Sequence, residues 1–85
     1  MTSHDRFTDA QVRVKALTRS PSTDQLLELY GLYKQSSVGD VSGKRPGFLD
    51  LKGQAKYDAW SRCKGMSSDK AMEAYVALVD KLTAV

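Results

Sequence analysis

Hydrophobic residues recur at helical spacing in four separate segments of the chain. The first stripe predicts a short amphipathic helix over about residues 4–17 and consists of Phe7, Ala10, Val14 and Leu17. Pro21 cannot continue this helix, and Ser22 with Gln25 three residues later has the pattern of a capping box. A second helix should therefore start near Ser22 or Thr23.

The second helix is apolar on almost every side. Its apolar positions are Leu26, Leu27, Leu29, Tyr30, Leu32 and Tyr33. One side of such a helix can pack in a core, and the other then needs a partner or a ligand. The helix should close over residues 36–39, with Gly39 as a left-handed cap. Gly43, Pro46 and Gly47 then predict an ordered loop up to Asp50.

Two further helices follow the loop. Asp50 is a good N-cap for a helix from Leu51 to Gly65, whose predicted core stripe is Leu51, Ala55, Ala59, Trp60 and Cys63. Ser67 can cap a fourth helix, whose stripe is Ala71, Tyr75, Leu78, Val79 and Leu82. The sequence predicts one all-α domain over residues 1–85, a four-helix bundle in which the long loop lets the second and third helices be neighbours.

Composition argues against several classes of protein. The longest apolar run, residues 74–79, is far shorter than the ~20 residues that a membrane span needs, so no stable membrane insertion is expected. No apolar signal segment follows the first residues, and the single Cys63 cannot form an internal disulfide. These features favour a cytoplasmic location.

Catalytic residues are scarce. The one histidine, His4, lies in a terminus that is expected to fray, and one His with one Cys cannot build a zinc site or a catalytic triad. The glycines do not follow a phosphate-loop pattern, and Cys63 is expected to be a buried, inert thiol. We therefore expect no enzymatic activity and no metal or other cofactor.

Positive charge is concentrated in residues 41–65. This segment has six basic and two acidic residues, whereas residues 1–40 balance at zero and residues 66–85 at −1. Residues four apart share a helix face, so Tyr30 with Lys34 and Lys52 with Lys56 form two cationic patches around the loop. Such patches suit a polyanion attached to a flat or apolar group.

Other interpretations of this charge remain open on the residues alone. A small basic helical module that binds nucleic acid is the main alternative, because a positive patch with interspersed aromatic residues is typical of one. A peripheral membrane adaptor is less favoured, since no helix combines a strongly basic face with Trp or Phe opposite. A solvated helix surface or a protein-interaction bundle would also account for single residues of the pattern.

Five short sequence blocks in a fixed order indicate a protein family more specifically than the charge distribution does. In chain order they are Tyr30-Gly31-Leu32-Tyr33-Lys34-Gln35, Val38-Gly39-Asp40, Arg45-Pro46-Gly47, Asp50-Leu51-Lys52-Gly53 and Lys56-Tyr57-Asp58-Ala59-Trp60. This order closely resembles the acyl-CoA-binding protein family, also called diazepam-binding inhibitor. The resemblance continues through Phe7–Lys15, Ser20-Pro21, Lys64-Gly65 and Ala71–Tyr75, and so covers nearly the whole chain. The chain departs from the common pattern at Gln11, Leu51 and Tyr57, where the family often has Ala, Phe and Trp.

The resemblance implies a fold, a ligand and a set of binding residues. It implies an up-down-down-up bundle that binds long-chain fatty acyl-CoA without chemistry, acts as an intracellular carrier and pool former, and is a monomer that does not bind nucleic acid. Enzymes that use acyl-CoA remain open as partners. By position, Tyr30, Lys34 and Lys56 would bind the 3′-phosphate of CoA, with Tyr33 near the adenine. The head group would also meet Lys15, Lys52 and Tyr75, and the acyl chain would meet Leu26 and Leu27 in a groove between the second and third helices, with Gly31 and Leu32 completing the site.

Overall fold

The computed structural model describes residues 2–84, which form four α-helices and no strand. Their bounds are Ser3–Lys15 for α1, Thr23–Ser37 for α2, Leu51–Ser61 for α3 and Ser68–Thr83 for α4. The all-α fold and the order of the four helices are as the sequence predicts.

Each helix begins at a side-chain cap. Ser22 and Gln25 form the predicted capping box, and the Asp50 and Ser67 side chains accept hydrogen bonds from the first turns of α3 and α4. α1 has a box that the sequence reading missed, between Thr2 and Asp5. His4 therefore lies in a capped helical turn, and not in an irregular segment.

Two helices end earlier than predicted because their last turns tighten. After Lys15 the backbone N–H of Leu17 donates to Val14 O at 3.4 Å, an i→i−3 bond in place of the α-helical i→i−4 bond. After Ser61 the same change occurs, with Lys64 N–H donating to Ser61 O at 3.1 Å. Gly65 then reverses the chain at φ 94°.

Side-chain contacts define the direction of each helix. Arg13 near the end of α1 bonds Asp80 near the end of α4 at 2.9 Å, so these two helices run parallel. Ser68, which opens α4, donates to the carbonyl oxygen of Ser36 at the end of α2 at 2.7 Å, so α2 runs opposite to α4. α2 packs on both α3 and α4, and α4 also packs on α1.

α3 runs in the same direction as α2 where the two helices cross. Tyr30 faces Lys56, and one turn further along each helix Lys34 faces Trp60. The bundle is therefore up-down-down-up, as the family resemblance implies. The loop of residues 38–50 supplies the length that a parallel connection needs.

The core lies where α1, α2 and α4 meet and includes the turn after α3. Its buried members are Phe7, Ala10, Leu29, Leu32, Cys63, Tyr75 and Val79. The prediction that Leu51 belongs to the core is wrong, since Leu51 is 74% exposed. α3 buries Ala59 and Trp60 in its second half, and its first turn extends beyond the contact with α2.

Gly31 allows α2 and α3 to approach closely. A Cβ atom at this position would lie 2.5 Å from the carbonyl oxygen of Ala59 and 2.8 Å from its carbonyl carbon. Backbone atoms cannot rotate out of the way as a side chain can, so any larger residue must push the two helices apart.

The loop between α2 and α3 is fastened to α3 along its length. Three α3 side chains donate to its carbonyl oxygens: Trp60 to Gly39 at 2.7 Å, Tyr57 to Gly43 at 2.9 Å and Gln54 to Pro46 at 3.1 Å. Arg45 adds two hydrogen bonds to Asp58, at 2.8 and 2.9 Å. The loop is thus ordered, as predicted, and held in place by α3.

Asp40 connects this loop to the rest of the bundle. Its Oδ1 accepts hydrogen bonds from the backbone N–H of Gly65 and from the side chain of Gln35, each at 2.8 Å. These bonds hold the pKa of the Asp40 carboxyl below its usual value, the Gly65 N–H having the larger effect. Gln35 is almost fully buried and also donates to the carbonyl oxygen of Met66, so it fixes the end of α2 to both connections.

The close contact at Gly31 predicts the sign of a substitution. Gly31→Ala should lower the free energy of unfolding by about 1–3 kcal/mol, because overpacking against Ala59 outweighs the gain in helix propensity of ~1 kcal/mol. Urea unfolding followed by circular dichroism measures this difference.

Gly47→Ala is the matched control, since a Cβ atom there meets nothing within 4 Å. It should change the free energy of unfolding by less than about 1 kcal/mol. A Gly31→Ala variant as stable as the wild type would show that α2 and α3 do not depend on this contact.

Candidate ligand-binding site

Two lysine ammonium groups lie over aromatic rings where α2 and α3 cross. Lys34 Nζ is 4.8 Å from the ring centre of Trp60, and Lys56 Nζ is 5.3 Å from that of Tyr30. In each pair the lysine and the ring come from different helices, so the α2–α3 contact positions both charges. Such contacts stabilise a cation by about 0.5–1 kcal/mol at exposed sites and leave its charge uncancelled.

Three aromatic rings from α1, α2 and α4 pack on one another. The rings of Phe7 and Tyr33 stack with their centres 6.1 Å apart, and Tyr75 meets Phe7 edge-on at 5.0 Å. Tyr75 is buried, whereas Tyr33 is 41% exposed and presents aromatic surface to solvent. Burial, with a smaller contribution from Tyr33, raises the pKa of the Tyr75 phenol.

Leu26 and Leu27 lie on the same side of α2 as these groups. Leu26 is four residues before Tyr30, and Leu27 is four before Gly31, so both precede the crossing by one turn. Leu26 is 49% exposed and Leu27 is partly exposed. Partly exposed apolar side chains therefore lie on α2 one turn before the lysine–ring pairs.

The other flank of the crossing has a different chemistry. An open groove of about 410 Å³ is lined there by Asp24, Gln25, Glu28, Leu32, Ala59, Arg62 and Cys63. Its lining combines the charged side chains of Asp24, Glu28 and Arg62 with the apolar side chains of Leu32, Ala59 and Cys63. A chain that follows Leu26 and Leu27 would lie on the opposite flank.

Lys15 and Lys52 are not part of the two lysine–ring pairs. Lys15 is the last residue of α1, Lys52 is in the first turn of α3, and both are exposed. Neither forms an ion pair within residues 2–84. That they contact the head group of a ligand stays a prediction.

Gly31 and Leu32 are both buried in the bundle. Gly31 is buried against the Ala59 backbone, and Leu32 is only 6% exposed. That both residues touch a ligand stays a prediction; Leu32 also lines the open groove between α2 and α3. Gly31 contributes to the α2–α3 contact, and Leu32 belongs to the hydrophobic core.

Phe7 is the residue of the site that sequence reasoning missed. Its position in the apolar stripe of α1 indicated only a core role, and it is indeed 4% exposed. Its contacts with both Tyr33 and Tyr75 show that it also supports the aromatic surface. Trp60 likewise has two roles, because it is buried and yet lies under Lys34.

Reactive groups are sparse in the described part of the chain. Within residues 2–84 no three His, Cys, Asp or Glu side chains are placed together to hold a metal ion. The Cys63 thiol is buried, and desolvation raises its pKa, which disfavours the nucleophilic thiolate. The arrangement supports binding of an anion with an aromatic and an apolar part.

Known proteins share this sequence and fold. A family model described as acyl CoA binding protein matches residues 4–79. The chain belongs to the acyl-CoA-binding protein family. Acyl-CoA-binding protein homolog 1 of Caenorhabditis elegans is 54% identical over 78 residues, which cover 92% of this chain and 91% of that protein. The acyl-CoA-binding protein homolog of Drosophila melanogaster is 49% identical over 80 residues, covering 94% and 93% of the two chains.

A solved structure of this family matches the whole bundle. The crystal structure of Oryza sativa acyl-CoA-binding protein 2 has a TM-score of 0.92 at 38% identity, covering 96% of this chain and 89% of that one. The family and the four-helix fold that the resemblance implied are therefore confirmed. The individual binding residues and the absence of nucleic-acid binding stay predictions.

The buried phenol of Tyr75 predicts a pH dependence. Its pKa is raised above the ordinary value of 10.0, so the unfolded chain loses this proton first as the pH rises. The free energy of unfolding should therefore fall as the pH rises above 10.0. Tyr75→Phe removes this contribution, and its stability should fall less between about pH 9 and about pH 11. Urea unfolding at the two pH values measures the difference; an equal fall in both proteins would contradict a buried, protonated Tyr75.

Proposed function

We propose that the chain binds long-chain fatty acyl-CoA thioesters non-covalently and carries them to enzymes that use them, without chemistry of its own. Membership of the acyl-CoA-binding protein family supports this ligand class. The observation that carries the proposal is the pair of ammonium groups, Lys34 over Trp60 and Lys56 over Tyr30, next to the exposed apolar surface of Leu26. One anionic head group and one hydrocarbon chain fit such a surface together.

The 3′-phosphate of CoA is the anion that Lys34 and Lys56 would bind. A phosphate monoester carries a charge of about −1.5 to −2 near neutral pH, so two ammonium groups from two helices match it. Charge-assisted hydrogen bonds to such a group are roughly twice as strong as neutral ones, and they exceed a cation–π contact with Tyr30 or Trp60. The hydroxyl group of Tyr30 would add a directed hydrogen bond.

The adenine would stack on Tyr33. The exposed surface of this ring is backed by Phe7, which is held in turn by Tyr75. A supported ring loses little freedom when a base stacks on it, and such stacking is worth about 1–3 kcal/mol. Lys15 and Lys52, exposed at the rim, would interact with the remaining phosphates of the head group.

The acyl chain would lie over Leu26 and Leu27. Each methylene withdrawn from water contributes ~0.8 kcal/mol, so affinity should rise with chain length. The surface is open, so the head group of the ligand itself would cover part of the chain. Under this proposal the phosphate site selects CoA, and the chain provides much of the affinity.

A ligand series tests the phosphate site. Palmitoyl-CoA should bind one per chain, and dephospho-palmitoyl-CoA and free palmitate should bind at least about tenfold more weakly, because one hydrogen-bonded charge contributes about 1.5–3 kcal/mol. Titration calorimetry measures all three ligands. Equal affinity for palmitoyl-CoA and its dephospho form would rule out the assigned phosphate site.

A set of variants separates the head group from the chain. Lys34→Ala and Tyr30→Phe should weaken octanoyl-CoA and palmitoyl-CoA by a similar factor, roughly tenfold for the lysine, because both ligands have the same phosphate. Leu27→Ala should weaken palmitoyl-CoA more than octanoyl-CoA, because only the longer chain covers that surface.

Controls for these variants come from exposed residues that are not assigned to the site. Lys70→Ala removes an exposed lysine in the first turn of α4, and Val12→Ala trims a 64% exposed side chain on α1. Both should bind every ligand as the wild type does. An equal effect of Leu27→Ala on both chain lengths would show that the acyl chain lies elsewhere.

A further inference from the structure

The most exposed large hydrophobic side chains of residues 2–84 lie together just before and at the start of α3. Phe48 is 79% exposed, Leu49 is 88% exposed and Leu51 is 74% exposed. We call these three residues the apolar tip. Solitary exposed apolar residues are ordinary, but three of them at one end of a small bundle are not.

The apolar tip is built on a tight turn. The backbone N–H of Asp50 donates to the carbonyl oxygen of Gly47 at 2.9 Å, so Phe48 and Leu49 are the two central residues of a hydrogen-bonded β-turn. Gly, Pro, Asn, Asp and Ser dominate such turns. Neither local turn geometry nor the core explains two large apolar residues here.

The turn is held in position by the loop that precedes it and by α3. The loop that leads into it is bound to α3 through Tyr57, Gln54 and the Arg45–Asp58 pair. A partner would therefore meet side chains that are already in place, and little ordering cost opposes docking.

The charges around the apolar tip are mainly positive. Lys44 and Lys52 flank it, both are exposed, and neither forms an ion pair within residues 2–84. Arg45 and Asp58 neutralise each other. The carboxylate of Asp50 turns back to accept the Gly53 N–H at 2.9 Å, where it compensates the positive end of α3.

We propose that the apolar tip docks the protein peripherally on an anionic lipid surface, with Phe48 and Leu49 in the interface and Lys44 and Lys52 on the head groups. The positive flanks are complementary to anionic lipids, which attract basic residues near the surface. Three side chains bury far less than the ~800 Å² per partner of a stable protein interface, which disfavours a second copy. A lipid interface needs no matching shape, and none of the described helices could cross a membrane, so the contact is peripheral.

A vesicle assay with the ligand-free protein tests this docking independently of acyl-CoA. The wild type should float with phosphatidylcholine vesicles that contain phosphatidylserine, and far less with pure phosphatidylcholine. Phe48→Ser combined with Leu49→Ser should lower the partition coefficient at least about tenfold. Lys44→Gln should lower it by up to about fivefold, and added salt should weaken wild-type binding.

Val12→Ser is the matched control, because Val12 is also highly exposed but lies on α1. It should bind vesicles as the wild type does. A loss of vesicle binding equal to that of the double variant would overturn the proposal. Equal binding of the wild type to vesicles with and without phosphatidylserine would overturn it as well. Sedimentation velocity tests whether a second copy of the chain binds the apolar tip instead. If the wild type is a dimer that the double substitution dissociates, while vesicle binding stays unchanged, the proposal is also overturned.

Titration of the double variant with palmitoyl-CoA separates this proposal from the proposed function. Its affinity should stay within about twofold of the wild type, because the apolar tip is not assigned to the ligand. Vesicle binding by a wild type that does not bind palmitoyl-CoA would support the docking surface and remove the proposed carrier function.

Discussion

The close contact between α2 and α3 at Gly31 is the constraint on which the site depends. Without a side chain at this position, the α2 backbone lies against Ala59, and each helix can place a lysine over a ring of the other. The loop follows α3 because α3 side chains hold its carbonyl groups. Because Gly31 has no Cβ atom, α2 and α3 can lie at the distance that sets the spacing of the two lysines and, through α3, the position of the loop.

Two arginines of the bundle and the two lysines at the crossing have different kinds of partner. Arg13 and Arg45 are bound to aspartates, so their charges are largely cancelled within the fold. Lys34 and Lys56 instead lie over aromatic rings, which hold an ammonium group in place without neutralising it. Two uncancelled positive charges therefore lie where α2 and α3 cross, and Leu26 one turn earlier on α2 is exposed. Under the proposed function, this local arrangement rather than the net charge of +3 would attract the anionic head group.

Most local features of the fold followed from the sequence, the Thr2–Asp5 capping box of α1 being the exception, whereas the exposure of Leu51 depends on tertiary contacts and did not follow. Ser22, Asp50 and Ser67 act within one turn of their own helices, so their capping roles were predictable. Periodicity showed that Leu51 continues an apolar stripe, but it could not show that nothing covers the first turn of α3.

The candidate site shows the same division. The spacing of Tyr30, Lys34, Lys52 and Lys56 indicated cationic and aromatic patches, and the family resemblance supplied the ligand. The contact between Phe7 and Tyr33 joins residues 26 positions apart on two helices, and the periodicity of the sequence does not predict a contact between residues so far apart.

A crystal structure of the palmitoyl-CoA complex tests the central claim most directly. Lys34 Nζ and Lys56 Nζ should lie about 2.7–3.2 Å from oxygens of the 3′-phosphate. A phosphate bound elsewhere, with both ammonium groups still over Trp60 and Tyr30, would contradict it.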